Sequence, residues 1–121
     1  MLLINQLSKQ TEVPIHTIRF YEKYGLFKGK KDDAKKSNNY TYYDNEVVEK
    51  LELIRDAKSV GFTLSEIKEL IGAWYGKRIT KDKKLEILNR KLVSIDEKIK
   101  QLKDVKKQIA FLKSEVENYD C

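Results

Sequence analysis

The sequence has only one cysteine, one proline and one histidine among its 121 residues. A single cysteine excludes an internal disulfide framework and is typical of a protein in a reducing cytoplasm. No apolar run reaches the roughly 18 residues that a membrane-spanning helix needs. The first residues lack the basic stretch and cleavage site of a signal peptide. We therefore expect a cytoplasmic protein with neither disulfides nor a membrane segment.

Residue patterns that carry enzyme chemistry are also missing. The sequence has no glycine-rich phosphate loop and no paired carboxylates on an apolar face, and His16 lies at the beginning of a predicted helix. Zinc sites take about three or four protein ligands, so Cys121 alone cannot form one. We expect a non-enzyme with no bound metal or cofactor. The alternative is a sensing thiolate at Cys121 that binds a thiophilic metal together with Asp120 or a second copy.

Positive charge is abundant and uneven. The net charge is +6, and residues 23–43 carry six lysines against two aspartates. Residues 77–91 carry seven lysines or arginines against two acidic residues. Such stretches favour a polyanionic partner such as nucleic acid. For residues 77–91, a merely solvated helix face is the alternative.

Two short helices are predicted near the N-terminus. The first spans Leu3–Gln10 with Asn5 as its cap, and the second begins at Pro14 and ends at Gly25. Two helices joined by so short a turn form the helix-turn-helix pattern. In the second helix Ile15 and Ile18 are the expected buried anchors, and the other faces carry His16, Thr17, Arg19, Phe20 and Lys23.

A β-hairpin is predicted next. The β-favouring segments Leu26–Lys28 and Tyr40–Tyr43 flank a basic stretch, which we interpret as a wing with a long, mobile tip. Strand alternation requires at least one of the tyrosines at 40, 42 and 43 to face the core. Aromatic and basic side chains together suit contacts with a phosphate backbone. Without the wing, a helical core with a solvated charge run would explain the segment equally well.

Two further helices have clear boundary signals. Asp44 is the expected cap of a third helix that runs to about Val60, and Gly61 ends it. Thr63 and Glu66 form a predicted capping box for a fourth helix, which ends near Gly76.

The last segment, from Lys81 to about Asn118, contains no glycine or proline. Apolar residues recur there at heptad spacing with one shift of three residues, which predicts a long dimerisation helix. A helix of about 57 Å cannot bury this stripe on so small a head, so we expect a homodimer, with an unrelated partner as the alternative. The predicted seam consists of Leu85, Leu88, Leu92, Ile95, Ile99, Leu102, Val105, Ile109, Leu112 and Val116.

These patterns predict an all-α fold with a small β-hairpin wing. A winged helix-turn-helix DNA-binding head spans residues 1–76, and a dimerisation helix with a short tail spans residues 77–121. Arg19 on the exposed face of the second helix suits a bidentate contact with a phosphate or a guanine. Pairing of two chains would present two such helices to the half-sites of a palindrome.

Three segments resemble the MerR-type (mercury-resistance-regulator) family of transcription regulators. Thr17–Leu26 resembles its recognition helix, Tyr40–Tyr43 the end of its wing, and Val60–Ile67 its junction of the third and fourth helices. The long terminal helix is similar to the family's antiparallel coiled-coil dimerisation helix. Lys81 stands where metal-sensing members have a cysteine, and Thr41 where the family usually has an arginine.

The resemblance implies a homodimer that binds a near-palindromic promoter site. An effector would change how the homodimer distorts double-stranded DNA, so that RNA polymerase can engage the promoter. The resemblance does not identify the effector. The resemblance implies that DNA is contacted by His16, Thr17, Arg19, Tyr21, Lys23, Lys30, Lys31, Tyr40, Tyr42, Arg55 and Lys58. The alternative function is an architectural, excisionase-like protein that bends DNA without sensing an effector.

Overall fold

The computed structural model describes residues 1–31, 40–76 and 80–119. The chain is divided into two compact units, Met1–Ile79 and Thr80–Cys121. No helix within the described ranges is long and apolar enough to cross a membrane. In chain order the elements are α1 (Ile4–Thr11), α2 (Ile15–Tyr24), β1 (Lys30–Lys31), β2 (Thr41–Tyr42), α3 (Asn45–Ser59), α4 (Leu64–Tyr75) and α5 (Lys81–Tyr119).

The first unit is held together by a small apolar core. Helix α1 packs on α2 and α3, and α3 packs on α4. Each helix contributes side chains at spacings of three and four residues, which place them on one face. The largest fully buried apolar side chains are Leu7, Ile18, Leu26, Leu51, Ile54 and Ile67.

Helix ends follow the local signals in most places. Asp44 accepts a hydrogen bond of 3.1 Å from the Val47 amide and caps α3. The capping box is present at α4, where the Thr63 amide donates to Glu66 Oε1 over 2.9 Å. Gly25 and Gly61 adopt φ values of 97° and 93°, the left-handed conformation that favours glycine at a helix end.

Helix α1 differs from the prediction at its first turn. Asn5 lies inside the helix and is exposed, so the prediction that it caps α1 is wrong. The cap position is Leu3, whose amide donates a hydrogen bond of 2.8 Å to Gln6 Oε1. A glutamine within the first turn therefore takes the role that we had assigned to Asn5.

The hairpin is also displaced along the chain. Leu26 and Phe27 are buried in the core, and strand β1 begins only at Lys30, so the prediction of a first strand at Leu26–Lys28 is wrong. Strand β2 pairs with it in an antiparallel register, Lys30 opposite Tyr42 and Lys31 opposite Thr41. The predicted long, mobile tip lies mostly outside the described residues.

The second unit consists mainly of helix α5. Its 39 residues match the prediction made from the heptad pattern. Of the ten predicted seam residues, nine are exposed, from 38% at Leu88 to 67% at Leu102, and Ile95 is half-buried. A single chain therefore leaves this apolar stripe uncovered.

Candidate nucleic-acid interface

Helix α2 presents one continuous polar and aromatic face. His16, Arg19, Phe20 and Lys23 are all exposed, and Thr17 is half-buried. Their spacings of three and four residues bring them to one side of the helix, opposite the buried Ile18. An imidazole, a guanidinium and an ammonium group on one helix face can donate to base edges and to phosphate oxygens.

Tyr21 does not belong to this face. Only 6% of it is exposed, whereas we had expected a side chain that faces the major groove. It follows Ile18 by three positions and therefore shares the core face of the helix. The ammonium of Lys58 lies 5.9 Å from the centre of its ring. We therefore do not include Tyr21 among the proposed DNA contacts.

The base of the wing lies on one side of α2. Lys30, Lys31 and Tyr40 are exposed, and Tyr42 is half-buried. The ammonium of Lys30 lies 3.2 Å from the carboxylate of Asp44. Burial acts to raise the pKa of Asp44, but the Val47 amide and Lys30 hold it below its usual value. The wing lysine is thus tethered to the start of α3.

Tyr43 is the wing tyrosine that faces the core, with 3% exposed. Its hydroxyl donates a hydrogen bond of 2.6 Å to Glu22 Oε1, and the Gly29 amide donates one of 2.9 Å to Glu22 Oε2. Burial and then the bond to Glu22 raise the pKa of Tyr43 well above its usual range. The Glu22 carboxylate of α2 therefore holds residues on both sides of the hairpin, Gly29 before it and Tyr43 after it.

The N-terminus pairs with the backbone of Tyr43, directly after β2. The amide of Leu2 donates to the Tyr43 carbonyl over 2.8 Å, and the amide of Tyr43 donates to the Leu2 carbonyl over 2.7 Å. Neither this bridge nor the role of Glu22 was predicted from the sequence. The signal available for Glu22 was a lone acidic residue in a helix whose other charged residues, Arg19 and Lys23, are basic.

Two further cations lie on α3. Arg55 and Lys58 are exposed. Arg55 Nη1 donates to the Thr11 carbonyl over 3.3 Å, and Arg55 Nε lies 3.6 Å from Asp56 Oδ1. The guanidinium therefore lies beside the turn between α1 and α2, and Lys58 lies over the Tyr21 ring of α2.

Phe20 and Tyr24 form an exposed aromatic pair on α2, which was not predicted as a site. The rings of Phe20 and Tyr24 stack with their centres 6.4 Å apart. The two residues are 52% and 37% exposed. Their spacing of four positions on one helix was the signal that could have identified the pair.

The other predicted sites lie outside this face. Among the residues that the structure describes, no group of three or more histidine, cysteine, aspartate and glutamate side chains could hold a metal ion. Cys121, the candidate sensing thiolate, lies outside the described residues. Most of the basic stretch 77–91 is described, apart from residues 77–79, and it forms the first turns of α5.

Comparisons with known proteins agree with this architecture. Residues 2–73 match the MerR HTH family of regulatory proteins, and residues 48–112 match the MerR DNA-binding family. The CueR transcriptional regulator of Escherichia coli is 31% identical over 90% of this chain and 78% of its own length. The multidrug-efflux transporter 2 regulator of Bacillus subtilis is 37% identical over 83% of this chain. The chain spans only 34% of that regulator's length.

Solved structures show the same fold. The regulator PbrR691 from Ralstonia metallidurans, in complex with lead(II), gives a TM-score of 0.79 at 24% identity, over 94% of this chain and 86% of its own. HiNmlR, a MerR family regulator that lacks the sensor domain and is bound to promoter DNA, gives a TM-score of 0.61 at 19% identity, over 85% of this chain and 76% of its own. The family matches and the CueR relative establish that the chain belongs to the MerR family of helix-turn-helix regulators, which bind DNA as homodimers and regulate transcription.

Proposed function

We propose that this protein is a cytoplasmic regulator that binds a near-palindromic promoter site and controls transcription by distorting the DNA. The observation that carries the proposal is the arrangement around α2. Its exposed donors are His16, Arg19 and Lys23, and the same helix contacts the base of the wing through Glu22 and Lys58 of α3 through Tyr21. A helix in the major groove with a phosphate contact on each side would use all of these groups.

The division of work among these residues follows from their chemistry. Contacts with phosphates position a protein on the duplex, and contacts with base edges specify the sequence. Arg19 carries a fork of donors that fits guanine O6 and N7. Lys30, Lys31 and the cations of α3 lie on segments that contact α2, and they suit the sugar-phosphate backbone together with Tyr40 and Tyr42. In this proposal Thr17 and His16 contact the groove beside Arg19.

The seam of α5 supports binding as a pair. Burial of apolar surface contributes about 25 cal/mol per Å², so a stripe of exposed leucine, isoleucine and valine side chains strongly favours a second copy. Pairing by a two-fold axis places two α2 helices on two half-sites of opposite direction. We therefore propose that the ten seam residues bury one another in an antiparallel coiled coil.

Distortion of the DNA is proposed as the regulatory step. Bending a site by tens of degrees costs on the order of 1–6 kcal/mol, which an effector of moderate affinity is able to offset. RNA polymerase would then be an indirect partner. The names of the relatives refer to different signals, since they include a multidrug-efflux regulator and a mercuric resistance regulator. The proposal therefore assigns no effector, resident metal or cofactor, and no enzymatic activity.

Footprinting and transcription in vitro test the proposal together. The intact protein is mixed with the DNA upstream of its own operon, with and without purified RNA polymerase. We expect a protected inverted repeat, bent by the protein in a circular-permutation assay, and a change in transcript level. Absence of any protected site would contradict the proposal. Protection and bending that leave transcription unchanged, whatever oxidants, chelators or electrophiles are added, would instead indicate an architectural protein.

A further inference from the structure

Phe20 places an exposed ring without any polar group on the proposed interface. It lies midway along α2 and is 52% exposed. His16 lies four positions before it and Lys23 three positions after it, so these side chains share a face. An apolar ring thus occupies the centre of a face whose other members are hydrogen-bond donors.

Neighbouring rings restrict where the Phe20 ring can lie. Its centre is 6.4 Å from that of Tyr24, with 27° between the planes, and 6.0 Å from that of the buried Tyr21. Lys68 of α4 restrains Tyr24 in turn, because its Nζ lies 5.3 Å from the centre of the Tyr24 ring and 3.4 Å from the Tyr24 carbonyl oxygen. The ring of Phe20 is therefore a preorganised apolar surface, whose ordering costs little conformational entropy on binding.

The chemistry of the ring selects its contact. Phenylalanine offers no donor or acceptor, so it adds no hydrogen bond to a phosphate or to a base edge. The major groove presents one apolar group, the C5 methyl of thymine, and apolar side chains pack against it. From this placement we infer that Phe20 determines specificity by packing against a thymine methyl in each half-site. The inference rests on the proposed function, and it adds a preference for thymine that the cationic side chains of α2 do not provide.

The test replaces thymine by deoxyuridine, which lacks only this methyl. The intact protein first selects duplexes from a random-sequence library, and each thymine of the selected duplex is then replaced in turn. Removal of one buried methyl is expected to weaken wild-type binding by about fourfold at one thymine of each half-site. A Phe20→Ala variant is expected to bind more weakly and to show no difference between thymine and deoxyuridine at that position.

Two variants serve as controls. Lys23→Ala removes a neighbouring cation, so it should weaken binding to both duplexes by the same factor and keep the fourfold ratio. Phe20→Leu keeps an apolar side chain and should keep part of the ratio. Far-ultraviolet circular dichroism and a thermal melt verify that each variant is folded, as expected for an exposed position.

The inference is overturned if no deoxyuridine weakens wild-type binding, or if Phe20→Ala keeps the full ratio. In either outcome the wild type still prefers its selected duplex, so the proposed function stands, and the ring instead packs on sugars without reading sequence. If the wild type selects no sequence, both the proposed function and this inference fail.

Discussion

The hydroxyl of Tyr43 donates a hydrogen bond of 2.6 Å to the carboxylate of Glu22 and joins the wing to helix α2 across 21 positions of sequence. The second oxygen of the same carboxylate accepts a hydrogen bond from the amide of Gly29, at the start of the wing. One acidic side chain on α2 thus sets the position of the wing relative to the face that we propose for the major groove. Such a link would keep the proposed groove and backbone contacts in register.

Substitution of Tyr43 by phenylalanine is expected to destabilise the protein by about 1.5 kcal/mol, because a buried hydrogen bond to a charged acceptor is lost. The free energy of unfolding from urea titration measures the effect. Tyr119→Phe removes the hydroxyl of a tyrosine that is 85% exposed and serves as the matched control, with little expected change. Equal stability of the Tyr43→Phe variant and the wild type would show that the bond contributes nothing net.

Stability is expected to fall in alkaline solution. The folded-state pKa of Tyr43 is raised by burial and by Glu22, whereas an unfolded tyrosine titrates near pH 10. The contribution of this group is therefore complete below about pH 10 and is lost as the pH rises toward the folded pKa. Urea titrations between roughly pH 8 and 11 should show a decline that is shallower in Tyr43→Phe. Burial and Glu49 also raise the pKa of Tyr75, so Tyr75→Phe should remove a further part.

Local signals explain how much of the fold could be predicted. The start of α3 and the start of α4 depend on side chains within three positions, namely Asp44 and the Thr63–Glu66 pair. The extent of α5 follows from a heptad pattern without glycine or proline. These features involve neighbours in sequence, so composition and spacing were sufficient to predict them.

Apart from the cap of α1, which is a local contact, the parts that were wrong depend on contacts between distant segments. Phe20 and Tyr21 are adjacent aromatic residues, and only the packing of α2 against its neighbours decides that Tyr21 is buried and Phe20 is exposed. The role of Glu22 requires that Tyr43 approach from the wing. The first strand begins later than predicted because Leu26 and Phe27 pack into the core, which a β-favouring composition does not reveal.

The wing lysines are expected to act through phosphate charge. Lys31→Ala should lower the slope of log K against log salt by about 0.9, since one phosphate contact and its released counterion are lost. Binding to specific and random duplexes should weaken by similar factors. Lys100→Ala, an exposed change on α5, should leave the slope unaltered. A normal slope in the Lys31 variant, with the control also unchanged, would remove this residue from the interface.

The seam of α5 is expected to hold the homodimer together. Ile99 lies close to the middle of the helix and is 46% exposed in a single chain. Ile99→Asp places a carboxylate in each half of the proposed coiled coil, where burial of an unpaired charge is costly. Sedimentation velocity should show a monomer at concentrations where the wild type and Lys100→Asp are dimers. A dimer of unchanged affinity in the Ile99 variant would contradict the proposed seam.

Selection from a random-sequence DNA library tests the central claim most directly, because it requires recognition by α2 and pairing through α5 at once. The account predicts that the wild type enriches an inverted repeat, that each bound duplex holds two chains, and that Arg19→Ala relaxes the preference at one position of each half-site. A library that shows no enriched motif, or a single unrepeated motif bound by one chain, would contradict the account.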